Sequence, residues 1–290
     1  MKKQPRTSAK LRPGLASEPA FDHIMLKRCA HLRKQQLRYQ ESNSEDAVHK
    51  SRVALRRLTT ALDAFRPLLR KSQLKAWRSE AKALFRALGE VRDADVYLAA
   101  LPDEERSKKL VAATAWLREK TWQDLKRKDA AGFAARLEKA VRDKAMLRKS
   151  RDGRLLRGRA VEQLAGEAMD GIWADLAGHG ADLAAMSATE RHGFRKDMKA
   201  FRYLADDFSP LWPKEGRAEA EDRIRALQED LGTLNDMANA ARLGQPVTGG
   251  EEEEAILGRA GGVWNELSGL RPWWRQDRPA AAPAEEAETA

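Results

Sequence analysis

The 290-residue sequence has one cysteine, few aromatic residues and no long apolar run. The single cysteine, Cys29, excludes an intrachain disulfide and a Cys-rich metal site, which favours a reducing, cytoplasmic setting. Its apolar neighbours predict a buried structural thiol. No stretch approaches the roughly 18–20 apolar residues of a membrane span, and no apolar segment follows the N-terminal lysines as it does in a signal peptide. The sequence therefore predicts a globular protein that neither spans nor enters a membrane.

Strand signals are also almost absent, and the chain is rich in Ala, Leu, Arg, Lys and Glu. This composition, with regular Gly and Pro breaks, is typical of amphipathic helices joined by short loops, so the predicted fold class is all-α. Gly89 and Gly232 are expected to end two helices as C′ residues. The acidic run 251–254 is expected to begin the last helix, and Trp273 and Trp274 to cover the end of the bundle. The predicted helices are 18–41, 45–70, 72–89, 91–100, 104–128, 131–149, 155–179, 187–212, 215–233, 235–243 and 251–269.

The net charge of +10 points to an anionic partner. Five positive charges lie within the first twelve residues and the last fifteen residues have a net charge of −3, which leaves +8 on the chain between them. Residues 1–16 are predicted to form a flexible basic arm and residues 276–290 a disordered tail of Pro, Ala and Glu. Residues 17–275 are predicted to form one domain, with a first half of about 17–150 and a second half of about 151–275.

An internal repeat with an offset of 143 residues supports this division into halves. When residues 49–93 are compared with 192–236 without gaps, twelve of the 45 positions are identical. The repeat predicts two helical bundles related by pseudo-symmetry. The identical pairs are His49/His192, Arg52/Arg195, Asp63/Asp206, Phe65/Phe208, Pro67/Pro210, Leu68/Leu211, Lys71/Lys214, Ala83/Ala226, Leu84/Leu227, Leu88/Leu231, Gly89/Gly232 and Asp93/Asp236, and Arg56/Lys199 and Lys82/Arg225 keep their charge.

Each half begins its repeat with a helix that carries a strip of basic residues. At about 100° per residue, His49, Arg52 and Arg56 fall on one narrow strip, and the opposite face of the helix is apolar. The second helix repeats the strip with His192, Arg195, Lys199 and Arg202. A single strip of this kind is usually a solvated basic surface. Because like charges at these spacings repel by a few tenths of a kcal/mol per pair, its repetition in both halves favours a shared anionic ligand.

The residue types in the strips suit phosphate. Arginine binds two phosphate oxygens at once and stays charged, lysine adds a point charge, and a histidine near phosphate gains proton affinity and becomes a further donor. Asp93 and Asp236 follow the two repeated glycines by four residues. They are predicted to cap a helix or to pair with a basic side chain.

Four motifs resemble those of the CHAD family, the conserved-histidine α-helical domain. The first half contains HKSRVALRRLT (49–59) and LGEVRDADV (88–96), and the second contains HGFRKDMKAFRY (192–203) and LQEDLGTLND (227–236). The resemblance covers about residues 15–275 and implies two bundles related by a pseudo-twofold axis around a central basic cavity. It further implies non-catalytic binding of inorganic polyphosphate and association with polyphosphate granules in the cytoplasm, without a cofactor or a metal.

The resemblance also implies a set of ligand-binding residues. Thr59 stands where the family usually has a base, whereas its counterpart Arg202 is basic, so the two half-sites are expected to differ. The implied polyphosphate-binding residues are His49, Arg52, Arg56, His192, Arg195, Lys199 and Arg202, with Arg57, Lys82 and Arg225 as further candidates.

Two other functions remain open from the sequence. One is a metal-dependent enzyme that acts on polyphosphate or another phosphorylated substrate, which would require carboxylates that hold a metal at the site. The other is a nucleic-acid binder, although the strips lack interleaved aromatic residues and nucleic acid is expected to bind only weakly and non-specifically.

Overall fold

The computed structural model describes residues 10–103, 106–242 and 250–275. In these ranges the chain is helical apart from turns, loops and two isolated β-bridges, so the predicted all-α class is confirmed. Most of the predicted arm (residues 1–9) and the predicted tail (276–290) lie outside the described residues. The helices are α1 (Ser17–Ser42), α2 (Glu45–Ala64), α3 (Lys71–Ala100), α4 (Lys108–Arg127), α5 (Phe133–Arg142), α6 (Arg151–Gly158), α7 (Val161–Gly178), α8 (Ala188–Phe208), α9 (Ala218–Arg242) and α10 (Gly250–Gly269).

Most helices that follow each other in the chain pack against each other. In the first half α1 packs on α2, α2 on α3 and α3 on α4, and α5 packs on α1. In the second half α7 packs on α8, α8 on α9 and α9 on α10. The helices α2 and α8 contact each other and join the halves. Next to this contact the rings of Phe65 and Phe208 meet edge to face, with centroids 5.9 Å apart.

The prediction that Gly89 and Gly232 end helices is wrong. Gly89 lies inside α3 and Gly232 lies inside α9, and each helix continues for at least ten residues beyond its glycine. A glycine in a helix interior costs about 1 kcal/mol relative to alanine. That cost is small beside the burial of apolar side chains on both sides of the glycine, such as Leu88 and Val91 in α3.

The predicted helix 155–179 is instead two helices, α6 and α7, separated at Arg159 and Ala160. Ala160 forms an antiparallel β-bridge with Ala16, in which Ser17 N donates to Arg159 O and Val161 N donates to Leu15 O, both at 2.8 Å. This pairing requires an extended backbone, so α1 and α7 begin side by side.

Residues 10–16, which the sequence assigns to the flexible arm, are packed. Leu11 and Leu15 are buried in the core, and Gly14 N donates to Glu162 Oε1 at 2.6 Å. The packed chain therefore begins before Ser17.

Three other expectations from the sequence are confirmed. Cys29 is fully buried, and burial raises the pKa of its thiol to about 12. Trp273 and Trp274 are buried against α7, where Trp274 Nε1 donates to Asp170 Oδ1 at 2.7 Å. The acidic run 251–254 lies at the start of α10, with Glu251, Glu252 and Glu253 in the first turn, where carboxylates interact favourably with the helix dipole.

Candidate functional site

The contact between α2 and α8 brings the two basic strips together. Burial and the charge of Arg92 lower the pKa of His49 on α2, and the charge of Lys199 on α8 lowers it further. Burial is also the main cause that lowers the pKa values of His192, Arg195 and Lys199, and the charge of Arg56 on α2 adds to the lowering in each case. The strips therefore face one another closely enough to repel. We call this region of facing strips the crossing.

Arg52 is held in place by α3. Its guanidinium carbon lies 4.2 Å from the centre of the Phe85 ring, and its Nη1 donates to Phe85 O at 3.0 Å. A β-carbon on Gly89 would lie only 2.5 Å from the same Nη1. Gly89 therefore provides the space for the Arg52 guanidinium, a role that the motif alone did not reveal. Asp93, one turn further along α3, raises the pKa of Arg52 against the larger lowering effect of burial.

Arg56 lies at the centre of the crossing. Its guanidinium carbon is 5.1 Å from the centre of the Phe85 ring, on which Arg52 also packs. Thr59, where the family usually has a base, donates its hydroxyl to Arg56 O at 2.9 Å. Within the described residues no carboxylate lies within 4.0 Å of Arg56. Its charge therefore faces the other bases without compensation.

The bases of the second strip, Arg195, Lys199 and Arg202, are half-buried, as Arg52 and Arg56 are in the first. Burial and the charges of Arg195, Arg56 and Arg202 lower the pKa of Lys199 to about 8. Burial also lowers the pKa of Arg195, and Asp236 opposes this effect as Asp93 does for Arg52. The Nε atoms of Arg195 and Arg202 are buried without a hydrogen-bond partner. Such donors cost free energy until an acceptor reaches them.

Both histidines of the strips are exposed, yet their pKa values lie below the usual 6.5. For His49 the causes are partial burial, then the charges of Arg92 and Lys199. For His192 they are partial burial and neighbouring cations, opposed by a hydrogen bond with Asn235. Both rings are therefore largely neutral at pH 7 in the free protein, and an anion that screens the cations would favour their protonation.

The three further candidates have different surroundings. Arg57 forms an ion pair of 3.0 Å with Asp206 across the α2–α8 contact and lies over the Tyr203 ring. Lys82 is exposed and lines a large cavity beside the crossing. Arg225 is exposed and forms an ion pair of 2.8 Å with Asp222, and it does not line that cavity.

This cavity has a volume of about 1430 Å³ and opens between α2, α3 and residues 148–150. Its floor is apolar and includes Leu55 and Phe85, and a low-dielectric floor strengthens the field of the charges around it. One acidic residue, Asp63, lines it and is paired with Arg66 and Arg78. The basic residues that line the cavity are Arg56, Arg66, Arg70, Lys71, Lys75, Arg78, Lys82, Arg148, Lys149 and Lys196.

Of these bases, only Arg56 and Lys82 are among the binding residues predicted from the sequence. A signal was present on α3, because Lys71, Lys75, Arg78 and Lys82 follow each other at spacings of four, three and four. That spacing places them on one face of the helix, as in the strips of α2 and α8. Only Lys71 and Lys82 have counterparts of the same sign in the repeat, so a comparison of the two halves did not single out the rest.

Two further features of the described residues concern metal binding and membrane crossing. They contain no group of three or more His, Cys, Asp or Glu side chains arranged to hold a metal ion. None of the described helices combines the length and the apolar character needed to cross a bilayer.

The chain is similar to a known protein family and, in its fold, to solved structures. The model of the family described as "CHAD domain" matches residues 23–245. The crystal structure of the CHAD domain from the plant Ricinus communis superposes with a TM-score of 0.67 at 22% identity, covering 92% of this chain and 91% of that one. PptA from Streptomyces chartreusis matches with a TM-score of 0.41 at 16% identity, over 88% of this chain and 95% of that one. No curated protein matched the sequence.

Proposed function

The chain belongs to the CHAD domain family, and on that premise we propose that it binds inorganic polyphosphate without catalysis. The observation that carries the proposal is the crossing. There, bases from α2 and α8 face each other, and in the described part of the chain no carboxylate lies within 4.0 Å of Arg52, Arg56, Arg195, Lys199 or Arg202. A polyanion would offset this repulsion.

The geometry favours a ligand with repeated charges. The crossing combines arginines from two helices, a lysine whose pKa is lowered to about 8 and two neutral histidines. A bound phosphate would stabilise each of these groups. It accepts hydrogen bonds from the arginines, and its negative charge raises the pKa values of the lysine and the histidines. Polyphosphate carries about one negative charge per phosphate, so one chain can satisfy both strips. Because binding releases counterions, affinity should fall steeply with salt.

The neighbouring carboxylates support binding over catalysis. Asp63 and Asp206 are each paired with arginines, and Asp93 and Asp236 act on Arg52 and Arg195. Carboxylates that already interact with arginine side chains are poorly placed to coordinate a catalytic metal. A metal-dependent enzyme remains the alternative, and it would release phosphate from polyphosphate only when Mg²⁺ or Mn²⁺ is added.

We also infer that the two halves arose by duplication and that the protein acts in the cytoplasm, on polyphosphate granules. Three features support the duplication. The repeated strips lie on α2 and α8, which contact each other. Each of these helices ends in a 3-10 turn that contains a proline, Pro67 or Pro210. The equivalent helices α1 and α7 begin side by side at the Ala16–Ala160 bridge.

The test is a calorimetric titration of long-chain polyphosphate at about 150 mM salt. We expect the wild type to bind tightly and Arg56→Gln/Arg195→Gln to lose most of the affinity. The matched control is Lys109→Gln/Lys126→Gln, which removes the same charge from exposed positions of α4. Circular dichroism verifies the helical content of each variant. Equal binding by all three proteins would refute the assignment of the site.

Competition separates polyphosphate from nucleic acid. Long-chain polyphosphate and double-stranded DNA are compared at equal phosphate concentration and fixed salt. We expect polyphosphate to displace DNA and DNA to displace polyphosphate poorly, because arginines already cover the rings of Phe85 and Tyr203 and leave no free aromatic face for a base. Equal competition would favour the nucleic-acid alternative.

A further inference from the structure

The large cavity beside the crossing belongs almost entirely to the first half. Its walls come from α2, from residues 66–70, from α3 and from residues 148–150, and α8 contributes only Lys196. Arg56 lines the cavity and also acts on the bases of α8, so the cavity opens directly from the crossing. A chain that leaves the crossing on this side enters a second basic region.

The wall formed by α3 has a regular row of charges. Lys71, Lys75, Arg78 and Lys82 all line the cavity from one face of the helix. At 1.5 Å per residue the row is about 16 Å long. Its length and direction suit an extended chain of charges better than a single compact anion.

Several bases of this region are available to a ligand. Lys71, Lys75 and Lys149 are exposed, and within the described residues their side chains form neither an ion pair nor a hydrogen bond. By contrast, Arg66 and Arg78 are already engaged, because they pair with Asp63 at 3.5 and 3.0 Å. The three lysines therefore carry the uncompensated charge at the far end of the cavity.

The second half does not repeat this arrangement. At the offset of 143 residues, the positions of Lys75 and Arg78 hold Ala218 and Glu221, and Glu221 pairs with Arg217. Arg225, the counterpart of Lys82, pairs with Asp222. The row is therefore interrupted on α9, and the basic region beyond the crossing is one-sided.

We propose that polyphosphate extends from the crossing in one direction only, along α3, and that Lys71, Lys75 and Lys149 bind the phosphates beyond it. This inference rests on the proposed function. It makes the protein selective for chain length: a short chain fills the crossing alone, whereas a long chain gains further contacts. Such selectivity does not follow from the paired strips, which are present in both halves.

The experiment measures the affinity of wild type and two variants for tripolyphosphate and for long-chain polyphosphate. The test variant is Lys71→Gln/Lys75→Gln/Lys149→Gln. The matched control, Lys108→Gln/Lys109→Gln/Lys126→Gln, removes three exposed lysines of α4 that do not line the cavity. All six lysines are exposed and outside the core, so both variants are expected to fold, which circular dichroism verifies.

We expect the test variant to bind long chains about tenfold or more weakly than wild type, with a salt slope that is shallower by about two, and to bind tripolyphosphate unchanged. The control should match wild type with both ligands. If the test variant binds long chains as well as wild type while Arg56→Gln/Arg195→Gln does not, the α3 extension is wrong and the proposed function stands. If wild type binds neither ligand, the proposed function itself fails.

Discussion

The guanidinium of Arg52 occupies the space that a side chain at Gly89 would take. A β-carbon at that position would lie 2.5 Å from Arg52 Nη1, while the same addition at the equivalent Gly232 meets nothing within 4 Å. Two glycines related by the repeat therefore differ in role. Gly89 leaves room for the Arg52 guanidinium against α3, whereas Gly232 has no such neighbour.

Gly89→Ala should weaken polyphosphate binding about threefold to tenfold, because Arg52 must leave its place over Phe85 and one phosphate contact is lost. The fold should tolerate the change, since the crowded atom is the flexible end of a side chain and alanine favours a helix by up to about 1 kcal/mol. The measurements are a polyphosphate titration and urea unfolding. Gly232→Ala is the control and should gain stability without a change in affinity; equal binding by the two variants would contradict this role for Gly89.

Lys199 should make binding depend on pH in the alkaline range. In the free protein its pKa is lowered from 10.5 to about 8 by burial and neighbouring cations, and a bound polyanion should raise it again. Binding should therefore take up a proton above pH 8, and affinity should fall as pH rises through that value. Calorimetry in buffers of different ionisation enthalpy measures the proton uptake. Lys199→Arg should abolish it.

The stability of the free protein should respond to Lys199 in the opposite direction. The folded-state pKa lies below the unfolded value, so the unfolded chain binds more protons between about pH 8 and 10.5. The contribution of Lys199 to the free energy of unfolding therefore rises with pH across that range. Comparing wild type with Lys199→Arg by urea unfolding at several pH values isolates this contribution. A contribution that does not rise with pH would show that the pKa of Lys199 is not lowered.

The two exposed histidines should add affinity under acidic conditions. The pKa values of His49 and His192 lie below 6.5 in the free protein, and a phosphate nearby should raise them. Affinity should therefore increase as pH falls through about 6.5, and His49→Gln/His192→Gln should flatten that increase. NMR titration of the ring protons checks the shift directly.

Arg28 and Asp207 form a buried ion pair that links α1 to α8. Arg28→Met should destabilise the fold by about 3 kcal/mol, because it leaves the Asp207 carboxylate buried without its partner. Arg28→Met/Asp207→Leu should recover much of this loss, since neither charge then remains. Thermal unfolding of the two variants provides the measurement. A double variant no more stable than the single one would show that the pair itself is required.

The helical class and the basic strip on each of two helices could be predicted from the sequence because both depend on periodicity, whereas the gathering of the two strips was implied only by the family resemblance. His49, Arg52 and Arg56 share a face in any α-helix, and Leu55 and Leu58 fix which face is buried. Helix ends were predicted less well. Glycine locally favours a helix end, which gives the wrong prediction at Gly89. The helix α3 continues beyond Gly89 because Leu88 and Val91 are buried in the core.

The cavity could not be predicted because it depends on tertiary proximity. Residues 148–150 follow α5 in the chain, yet Arg148 N donates to Leu68 O and brings this segment against the end of α2. No pattern in the sequence connects those positions. The basic row on α3 is recognisable from its spacing in the sequence. Its position beside the strips of α2 and α8 is not, because that position depends on the tertiary fold.

The bridge between Ala16 and Ala160 has a consequence for folding during synthesis. Ala16 leaves the ribosome 144 residues before its partner, an interval of about 7–30 s at ordinary rates of translation. Until Arg159 and Val161 are synthesised, the start of α1 lacks its backbone hydrogen-bond partners. The first bundle therefore cannot complete its packing before the first turn of α7 is available. We therefore expect the two bundles to finish folding together.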